Sequence, residues 1–255
     1  MSLIIAADNL EPLNPTIGQA IASLDPLPLQ KMARRLAKAG SSLLDINPGY
    51  LSPRHHNRMA FMVEAVQQVT DLRLILDSPN AQVLAQGLAA CQKPPILNAC
   101  TLETDKLREI LPLAAAHQSD LVVLLLDDHS RPAASLEGKI SLALEFREHA
   151  LAAGLAESQL IFDPALPNLA WPDAWPQVGE VVKAVRLLAQ GDLWGAPART
   201  MVGLSNLRSG LRRSYTVRVE EAVLALLAGA GLEMALVDVL QPGLMETVRV
   251  INQVR

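Results

Sequence analysis

The stretch Met201-Val202-Gly203-Leu204-Ser205-Asn206 is a short apolar run that stops at a glycine and then presents a hydroxyl and a carboxamide. A buried parallel strand has this pattern when its carboxyl end faces a ligand pocket. Asn206 offers one hydrogen-bond acceptor and two donors, and it does not titrate near neutral pH. The stretch is explained equally well by a site that positions and polarises a substrate and by a polar turn that ends a strand.

The same succession of an apolar run and a polar terminator recurs along the chain. Eight strand-like runs are each followed by a segment with apolar residues at helical spacing, and no linker or repeat divides them. Alternating units of about 30 residues with aliphatic strands favour parallel pairing. The pattern predicts an α/β fold, a (β/α)8 TIM barrel, with residues 1–255 forming a single domain.

Almost every predicted strand ends in a carboxylate or a carboxamide. The terminators are Asp45, Asn47, Asp77, Asn98, Asp127, Asp163, Asn206 and Asp238. Helix capping explains one such residue, but eight at the same end of the strands favour a ligand site, because active sites of TIM barrels lie at the carboxyl ends of the strands. The sequence therefore predicts a polar pocket at this rim.

Composition excludes several classes of partner. The 255 residues are 50% apolar and only 3% aromatic, and the net charge is −4 without a dense block of Lys or Arg. We therefore expect no nucleic-acid partner and no membrane association. No run has the length of a membrane span or of a signal segment, and Cys91 and Cys100 have neither metal-type nor redox-type spacing. These features predict a cytoplasmic protein with reduced thiols.

The residue types at the rim favour binding of a neutral heterocycle. The five histidines form no nucleophile–base arrangement, and nothing fixes a metal geometry, so no metal site is predicted. A carboxylate pairs well with a ring N–H beside an exocyclic amine. The 2-amino-4-oxopyrimidine edge of a pterin has that pair of donors, and guanine shares it.

The order and spacing of the rim motifs resemble a known family. The motifs are Asp45-Ile46-Asn47-Pro48-Gly49, Asp77-Ser78-Pro79, Asn98, Asp127-Asp128, Asp163-Pro164 and Gly203-Leu204-Ser205-Asn206. Over essentially its whole length the chain resembles methyltetrahydrofolate:corrinoid/iron–sulfur protein methyltransferases, which are pterin-binding proteins related to dihydropteroate synthase.

The resemblance implies roles for individual residues. Asp77, Asn98 and Asp163 would hold the pterin ring, and Asn206 would contact N5, the nitrogen that carries the methyl group. Asn206 and Asp77 would be catalytic, the second by favouring the protonated pterin. The implied substrate-binding set is Asp45, Asn47, Asp77, Asn98, Asp127, Asp163, Ser205, Asn206, Arg212 and Arg213, where either arginine would meet the folate tail.

The resemblance also implies the reaction and the partners. The N5 methyl group of methyltetrahydrofolate, or of a related methyl-tetrahydropterin, would pass to Co(I) of a cobalamin-type corrinoid. A separate corrinoid (iron–sulfur) protein would carry that corrinoid, and the enzyme would be a homodimer. The first family motif, of the type Gly-Glu-x-Ile-Asn, is replaced here by Ala6-Ala7-Asp8-Asn9-Leu10, so its acidic residue is shifted or lost.

Two other functions remain open at this stage. Dihydropteroate synthase shares the barrel and the pterin pocket, but it carries a Ser-x-Arg/Lys pattern at strand seven. Ser205-Asn206-Leu207 lacks that cation, although Arg208 follows closely. The third hypothesis is a pterin-binding subunit without catalytic activity. Trp171 and Trp175, in a long loop rich in Pro and Trp, are assigned to loop anchoring in preference to a lid or a partner contact.

Overall fold

The structure, a computed structural model, describes residues 2–211 and 214–255. The strands are β1 (Ile4–Leu10), β2 (Leu43–Ile46), β3 (Arg73–Asp77), β4 (Ile96–Cys100), β5 (Asp120–Leu124), β6 (Leu160–Asp163), β7 (Arg199–Gly203) and β8 (Met234–Val237). The helices are α1 (Pro15–Ser23), α2 (Pro26–Ala39), α3 (Arg58–Gln67), α4 (Ala81–Ala90), α5 (Thr104–Ala116), α6 (Leu136–Ala152), α7 (Ala174–Gln190), α8 (Arg218–Ala230) and α9 (Leu244–Val254). Short 3₁₀ turns occupy Pro53–His55, Glu157–Gln159 and Leu204–Arg208.

The eight strands close into one parallel barrel in the order of the chain. Each strand pairs with its neighbours in sequence, and β1 pairs with β8 to close the ring. The helices pack outside the strands, and their buried faces form a continuous aliphatic layer against the outer face of the barrel. The predicted (β/α)8 fold is confirmed.

The lumen of the barrel is filled by a separate apolar cluster. Its buried members are Ala6, Leu43, Ile75, Ile96, Val122, Ile161, Met201, Met234 and Leu236. Side chains along a strand alternate between its two faces, so the residue two positions further along points into the same lumen. This alternation carries a ring of small or polar residues to the carboxyl rim. They are Asp8, Asp45, Asp77, Asn98, Asp163 and Gly203.

An ionic network lies at the opposite, amino-terminal end of the lumen. Asp120 Oδ2 accepts from Arg73 Nη1 at 2.8 Å and from Arg199 Nη1 at 2.7 Å. Arg199 Nε also donates to Glu233 Oε1 at 3.0 Å. The charged groups are largely shielded from solvent, and each has an opposite partner, as burial of charge requires.

Several element boundaries differ from the sequence-based prediction. β1 continues through Asp8 and Asn9 to Leu10, whereas β5 ends at Leu124, before the predicted terminator Asp127. Helix α5 begins at Thr104, and before it the Thr101 hydroxyl donates to Glu103 Oε1 at 3.2 Å. Over the described ranges, none of the helices combines the length and the apolar character needed to cross a membrane.

Candidate functional site

A cavity of about 350 Å³ opens at the carboxyl rim of the barrel, where the sequence predicts a polar pocket. Seven of the predicted site residues line it: Asp45, Asn47, Asp77, Asn98, Asp163, Ser205 and Asn206. Apolar side chains, among them Leu124, Met201 and Leu236, and further polar side chains form the rest of the wall. A concave site in which polar groups converge beside apolar side chains is typical of a site for a small organic ligand.

Asp77 and Asn47 meet across β3 and the end of β2. Asn47 Nδ2 donates to Asp77 Oδ2 at 2.8 Å, and the Gly49 N–H donates to Asn47 Oδ1 at 2.8 Å. The second bond fixes which way the Asn47 amide points. Burial raises the pKa of Asp77 to about 6, the Asn47 hydrogen bond lowers it, and the charge of Glu11 raises it.

Asp45 lies deeper in the lumen, and its carboxyl is buried. Burial raises the pKa of Asp45 well above its ordinary value, and the charges of Asp77, Asp8 and Glu11 raise it further. A hydrogen bond from the Asn98 side chain acts in the opposite direction. Asp45 Oδ1 has no hydrogen-bond partner among the residues that the structure describes. This arrangement favours a protonated carboxyl with an oxygen available to a ligand.

Asp163 ends β6 and is 95% shielded from solvent. Its Oδ1 accepts from the Ala165 N–H at 2.8 Å, and the Gly203 N–H also donates to the carboxylate. Burial raises the pKa of Asp163 to about 6, while these backbone donors and the charge of Lys139 lower it. Asp163 is therefore mainly ionised at neutral pH, as a double acceptor for two adjacent N–H groups must be.

Asn206 lies in the 3₁₀ turn after β7, at the mouth of the cavity, and its side chain is exposed. A Cβ atom on Gly203 would lie only 3.2 Å from Asn206 Nδ2, so the glycine allows the amide to approach the strand end. The turn is tied to the loop after β6, because Asn168 Nδ2 donates to the carbonyl oxygens of Asn206 (3.2 Å) and Ser209 (3.0 Å). The Leu169 N–H also donates to the Leu207 carbonyl at 3.0 Å.

Asp127 does not line the cavity, contrary to its place in the predicted set. Because β5 ends early, Leu126 forms an antiparallel bridge with Pro132 and the chain turns away from the rim. The Asp127 carboxylate accepts from the N–H groups of His129 and Arg131, both at 2.9 Å, and pairs with the Arg131 side chain. Asp127 thus stabilises its own loop. The two predicted tail-binding residues, Arg212 and Arg213, lie outside the described residues.

Four polar residues in the cavity wall are missing from the predicted set: Asp8, Glu11, Thr101 and Lys106. Asp8 was detectable, because Ile4, Ala6 and Asp8 share one face of β1. Asp8 and Glu11 thus bring acidic side chains to the place where the first family motif is altered. Glu11 and Lys106 come from loop and helix positions that strand periodicity does not reach.

Two wider grooves adjoin the cavity on the same rim. One, of about 870 Å³, shares Glu11, Asn47 and Lys106 with the cavity and extends past Leu13 and Tyr50. The other, of about 550 Å³, shares Asp8 and Asn206 with the cavity and continues to Gly210 and Asp238. The cavity is therefore open on two sides, which leaves room for a ligand longer than its ring system.

The fold and the rim site define a TIM-barrel protein with an acidic pocket at the carboxyl rim, and comparison with known proteins identifies the family. Residues 19–238 match the family described as pterin binding enzyme, so the chain belongs to the pterin-binding enzymes. It is 26% identical over 169 residues to the methylcorrinoid:tetrahydrofolate methyltransferase of Eubacterium limosum, a match that spans 66% of this chain and 62% of that protein. The family resemblance noted in the sequence is thus confirmed, because the chain matches the pterin-binding family and a methyltransferase of that kind.

Solved structures of dihydropteroate synthases share the fold. The Yersinia pestis enzyme with a pterine–sulfa conjugate has a TM-score of 0.69 at 19% identity, covering 100% of this chain and 94% of that one. The enzyme of Xanthomonas albilineans with 4-aminobenzoic acid has a TM-score of 0.71 at 18% identity, covering 98% and 90%. Identities this low establish the barrel in common and leave the reaction to the chemistry of the site.

Proposed function

We propose that the protein catalyses methyl transfer between N5 of a tetrahydropterin, such as tetrahydrofolate, and the cobalt of a corrinoid carried by a separate protein. The supporting observation is the set of residues at the end of β7, where Gly203, Ser205 and Asn206 form what we call the strand-seven corner of the site. Asn206 lies at the cavity mouth there, and the nearest following cation, Arg208, is engaged elsewhere. The name of the Eubacterium limosum relative, which combines methylcorrinoid and tetrahydrofolate, supports the same assignment.

In this proposal Asp163 accepts from the ring N–H and the exocyclic amine of the pterin. Asn98 and Asn47, whose amides are aligned with Asp45 and Asp77, complete the polar surround of the ring. A double acceptor opposite two adjacent donors fixes the orientation of the ring as well as its position. That orientation would leave N5 toward the strand-seven corner and its methyl group toward solvent, where a partner protein approaches.

The chemical demand on the site is to make N5 a better leaving group. As the methyl carbon bonds to the nucleophilic Co(I), which supplies both electrons of the new bond, the C–N5 bond breaks and its electron pair stays on N5. N5 must gain a proton or a strong hydrogen bond as this happens. In this proposal the Asn206 amide stabilises the changing charge without itself ionising, and the anionic Asp77 favours a protonated pterin. Transfer in the opposite direction passes through the same transition state.

The buried position of Arg208 counts against dihydropteroate synthesis, which must hold a pyrophosphate leaving group. Arg208 Nε and Nη2 donate to the two oxygens of Glu220 at 2.8 and 2.9 Å, and Nη1 donates to the Tyr215 carbonyl at 3.0 Å. Its charge is thus compensated, and the side chain is only 5% exposed. Among the described residues the cavity wall has one basic side chain, Lys106, against five carboxyl groups, of which Asp45 favours the protonated form. Such a wall repels a pyrophosphate.

The partners follow from the reaction. In this proposal the pterin takes the cavity of about 350 Å³, and a separate corrinoid protein presents the corrinoid at the open rim. We propose in addition that the enzyme is a homodimer and that the partner is of the corrinoid iron–sulfur type, both on the family resemblance.

A cob(I)alamin oxidation-state assay with methyltetrahydrofolate tests the proposal. We expect conversion of the reduced corrinoid to its methylated form, dependent on enzyme, and the reverse reaction from methylcobalamin and tetrahydrofolate. Condensation of a pterin pyrophosphate with p-aminobenzoate would instead establish the synthase activity. Tight binding of tetrahydrofolate without turnover, even with a corrinoid protein supplied, would support the hypothesis of a catalytically inactive subunit.

A further inference from the structure

Lys139 is a charged side chain in the interior that the proposed mechanism does not use. It lies in the first turn of α6, and its side chain is completely shielded from solvent. A buried ammonium group is costly unless nearby groups compensate its charge and accept its hydrogen bonds. An apolar side chain of the same length would fill the space without that cost, so the position of this lysine requires a reason.

The surroundings of Lys139 connect it to the candidate pterin site. Its Nζ donates to the Pro164 carbonyl at 2.7 Å. The negative charges that act on it are those of Asp163, in the cavity wall, and Glu180, in α7. Glu180 is held in place because its Oε2 accepts from the Leu136 N–H at the start of α6, at 3.0 Å. Lys139 thus lies behind the carboxylate that we assign to the pterin ring edge.

Pro164, which accepts the hydrogen bond from Lys139, belongs to a turn with an unfavourable backbone conformation. Ala165 has φ of 55°, in the left-handed region that side chains other than glycine rarely adopt. On one side of the turn the Ala165 N–H bonds to Asp163 Oδ1, and on the other the Pro164 carbonyl bonds to Lys139. The loop that starts here reaches the strand-seven corner through Asn168. A displaced turn would therefore disturb the cavity wall at Asp163 and also the wall at Asn206.

We propose that Lys139 is a positioning residue of the pterin site, which keeps the Asp163 carboxylate ionised and fixes the turn that follows it. This inference rests on the proposed binding of a pterin by Asp163. Lys139 does not touch the ligand in this scheme, because it acts through Asp163 and Pro164. The two functions are separable, since the first depends on the charge of the side chain and the second on its hydrogen bond.

The pair has a defined range of pH in which both groups are charged. Burial raises the pKa of Asp163 to about 6 and lowers the pKa of Lys139 to about 8. Removal of the lysine charge should raise the pKa of Asp163 further, by about one unit, as expected for a nearby opposite charge in a partly shielded site. The other charged groups that face the cavity or the lysine are Asp8, Glu11, Asp45, Asp77, Lys106 and Glu180.

The test compares Lys139→Met, which removes charge and hydrogen bond, with Lys139→Gln, which retains a donor, and with the control Lys183→Met. Lys183 pairs with the same Glu180 through an exposed contact of 2.7 Å, so its removal takes away a lysine charge near α6 without touching Asp163. Tetrahydrofolate binding is measured by calorimetry at about pH 6 and about pH 8.5. We expect the ratio of the Kd at about pH 6 to the Kd at about pH 8.5 to be about fivefold larger in both Lys139 variants than in the wild-type protein. The ratio should be unchanged in Lys183→Met.

A ligand-free measurement separates this inference from the proposed function. Isotope-labelled aspartate carboxyl carbons are titrated by NMR, and the Asp163 signal is identified by its loss in Asp163→Asn. The Asp163 pKa should rise by about one unit in both Lys139 variants. An unchanged Asp163 pKa, or a loss of affinity equal at both pH values, would overturn the charge role. If wild-type protein fails to bind tetrahydrofolate, the proposed function fails, while the NMR titration still decides the role of Lys139.

Discussion

Asp163→Asn should make the unliganded protein more stable at neutral pH while weakening its pterin binding. The pKa of Asp163 is about 6 in the folded chain, against an ordinary value of 3.8. At 1.36 kcal/mol for each pKa unit, ionisation of Asp163 costs the folded state about 3 kcal/mol at pH 7. Asparagine carries no charge and avoids this cost. It also replaces one of the oxygens that accept from the Ala165 and Gly203 N–H groups, and this loss lowers the free energy of unfolding by about 1 kcal/mol.

We therefore expect a net gain of about 1–2 kcal/mol at pH 7, or roughly 2–8 °C in Tm for a chain of this size. A carboxyl whose folded pKa lies above its unfolded pKa favours folding while it is protonated, and this contribution is lost as the pH rises from about 3.8 to about 6. The advantage of the variant should consequently shrink toward pH 4, where the wild-type cost is below about 1 kcal/mol.

The assay is thermal or urea unfolding of both proteins at several pH values, combined with calorimetric titration of tetrahydrofolate at pH 7. Loss of a charge-assisted double acceptor should weaken binding by about 1–3 kcal/mol, or roughly 5- to 150-fold. The reasoning is refuted if the variant is less stable than wild type at pH 7, or if the stability difference does not depend on pH. Unchanged affinity would show that Asp163 only supports its own turn.

Three further variants test other parts of the structure. Asn206→Ala should slow single-turnover methyl transfer by about 10²–10³-fold with a much smaller change in Kd, because a hydrogen bond that strengthens only in the transition state affects rate more than binding. Equal losses in rate and in affinity would assign Asn206 to binding alone. Arg208→Met should lower the free energy of unfolding by about 3–5 kcal/mol in denaturant titrations, because it leaves Glu220 buried without its partner. The double variant Arg208→Met/Glu220→Leu should recover most of this loss, and an equally unstable double variant would contradict this account. Asp127→Asn should leave tetrahydrofolate affinity within about twofold of wild type, because the carboxylate bonds only within its own exposed loop, and a larger loss would return Asp127 to the site.

Strand positions of the site follow from the sequence, because one rule produces both the barrel and the pocket. A strand that places Ile75 or Ile161 in the lumen must place Asp77 or Asp163 one pleat nearer the rim. The eight aliphatic runs therefore predict the closed fold and the polar cavity residues that lie on strands, Asp45, Asp77, Asn98 and Asp163. Asp8 follows from the same rule once β1 is extended through Leu10.

Residues outside the strands could not be predicted in this way. Asp127 follows an apolar run that continues beyond the hydrogen-bonded strand, so the sequence does not show that the chain turns outward after Leu124. The bond between Arg208 and Glu220 and that between Lys139 and Pro164 join segments 12 and 25 residues apart. Nothing in local periodicity distinguishes a buried lysine in the first turn of a helix from a solvated one.

The free energy that the buried carboxyl groups cost the folded state supports the proposal that the cavity binds a ligand with several N–H donors. Asp45, Asp77 and Asp163 all have raised pKa values in which burial is the largest cause, so each opposes folding at neutral pH. Apolar residues at these lumen positions would pack against Ile75, Ile161 and Met201 without such a cost. A ligand that brings several N–H donors to these oxygens compensates it on binding. The same ligand is stabilised by acceptors that are largely shielded from solvent, a condition under which hydrogen bonds discriminate strongly between rings.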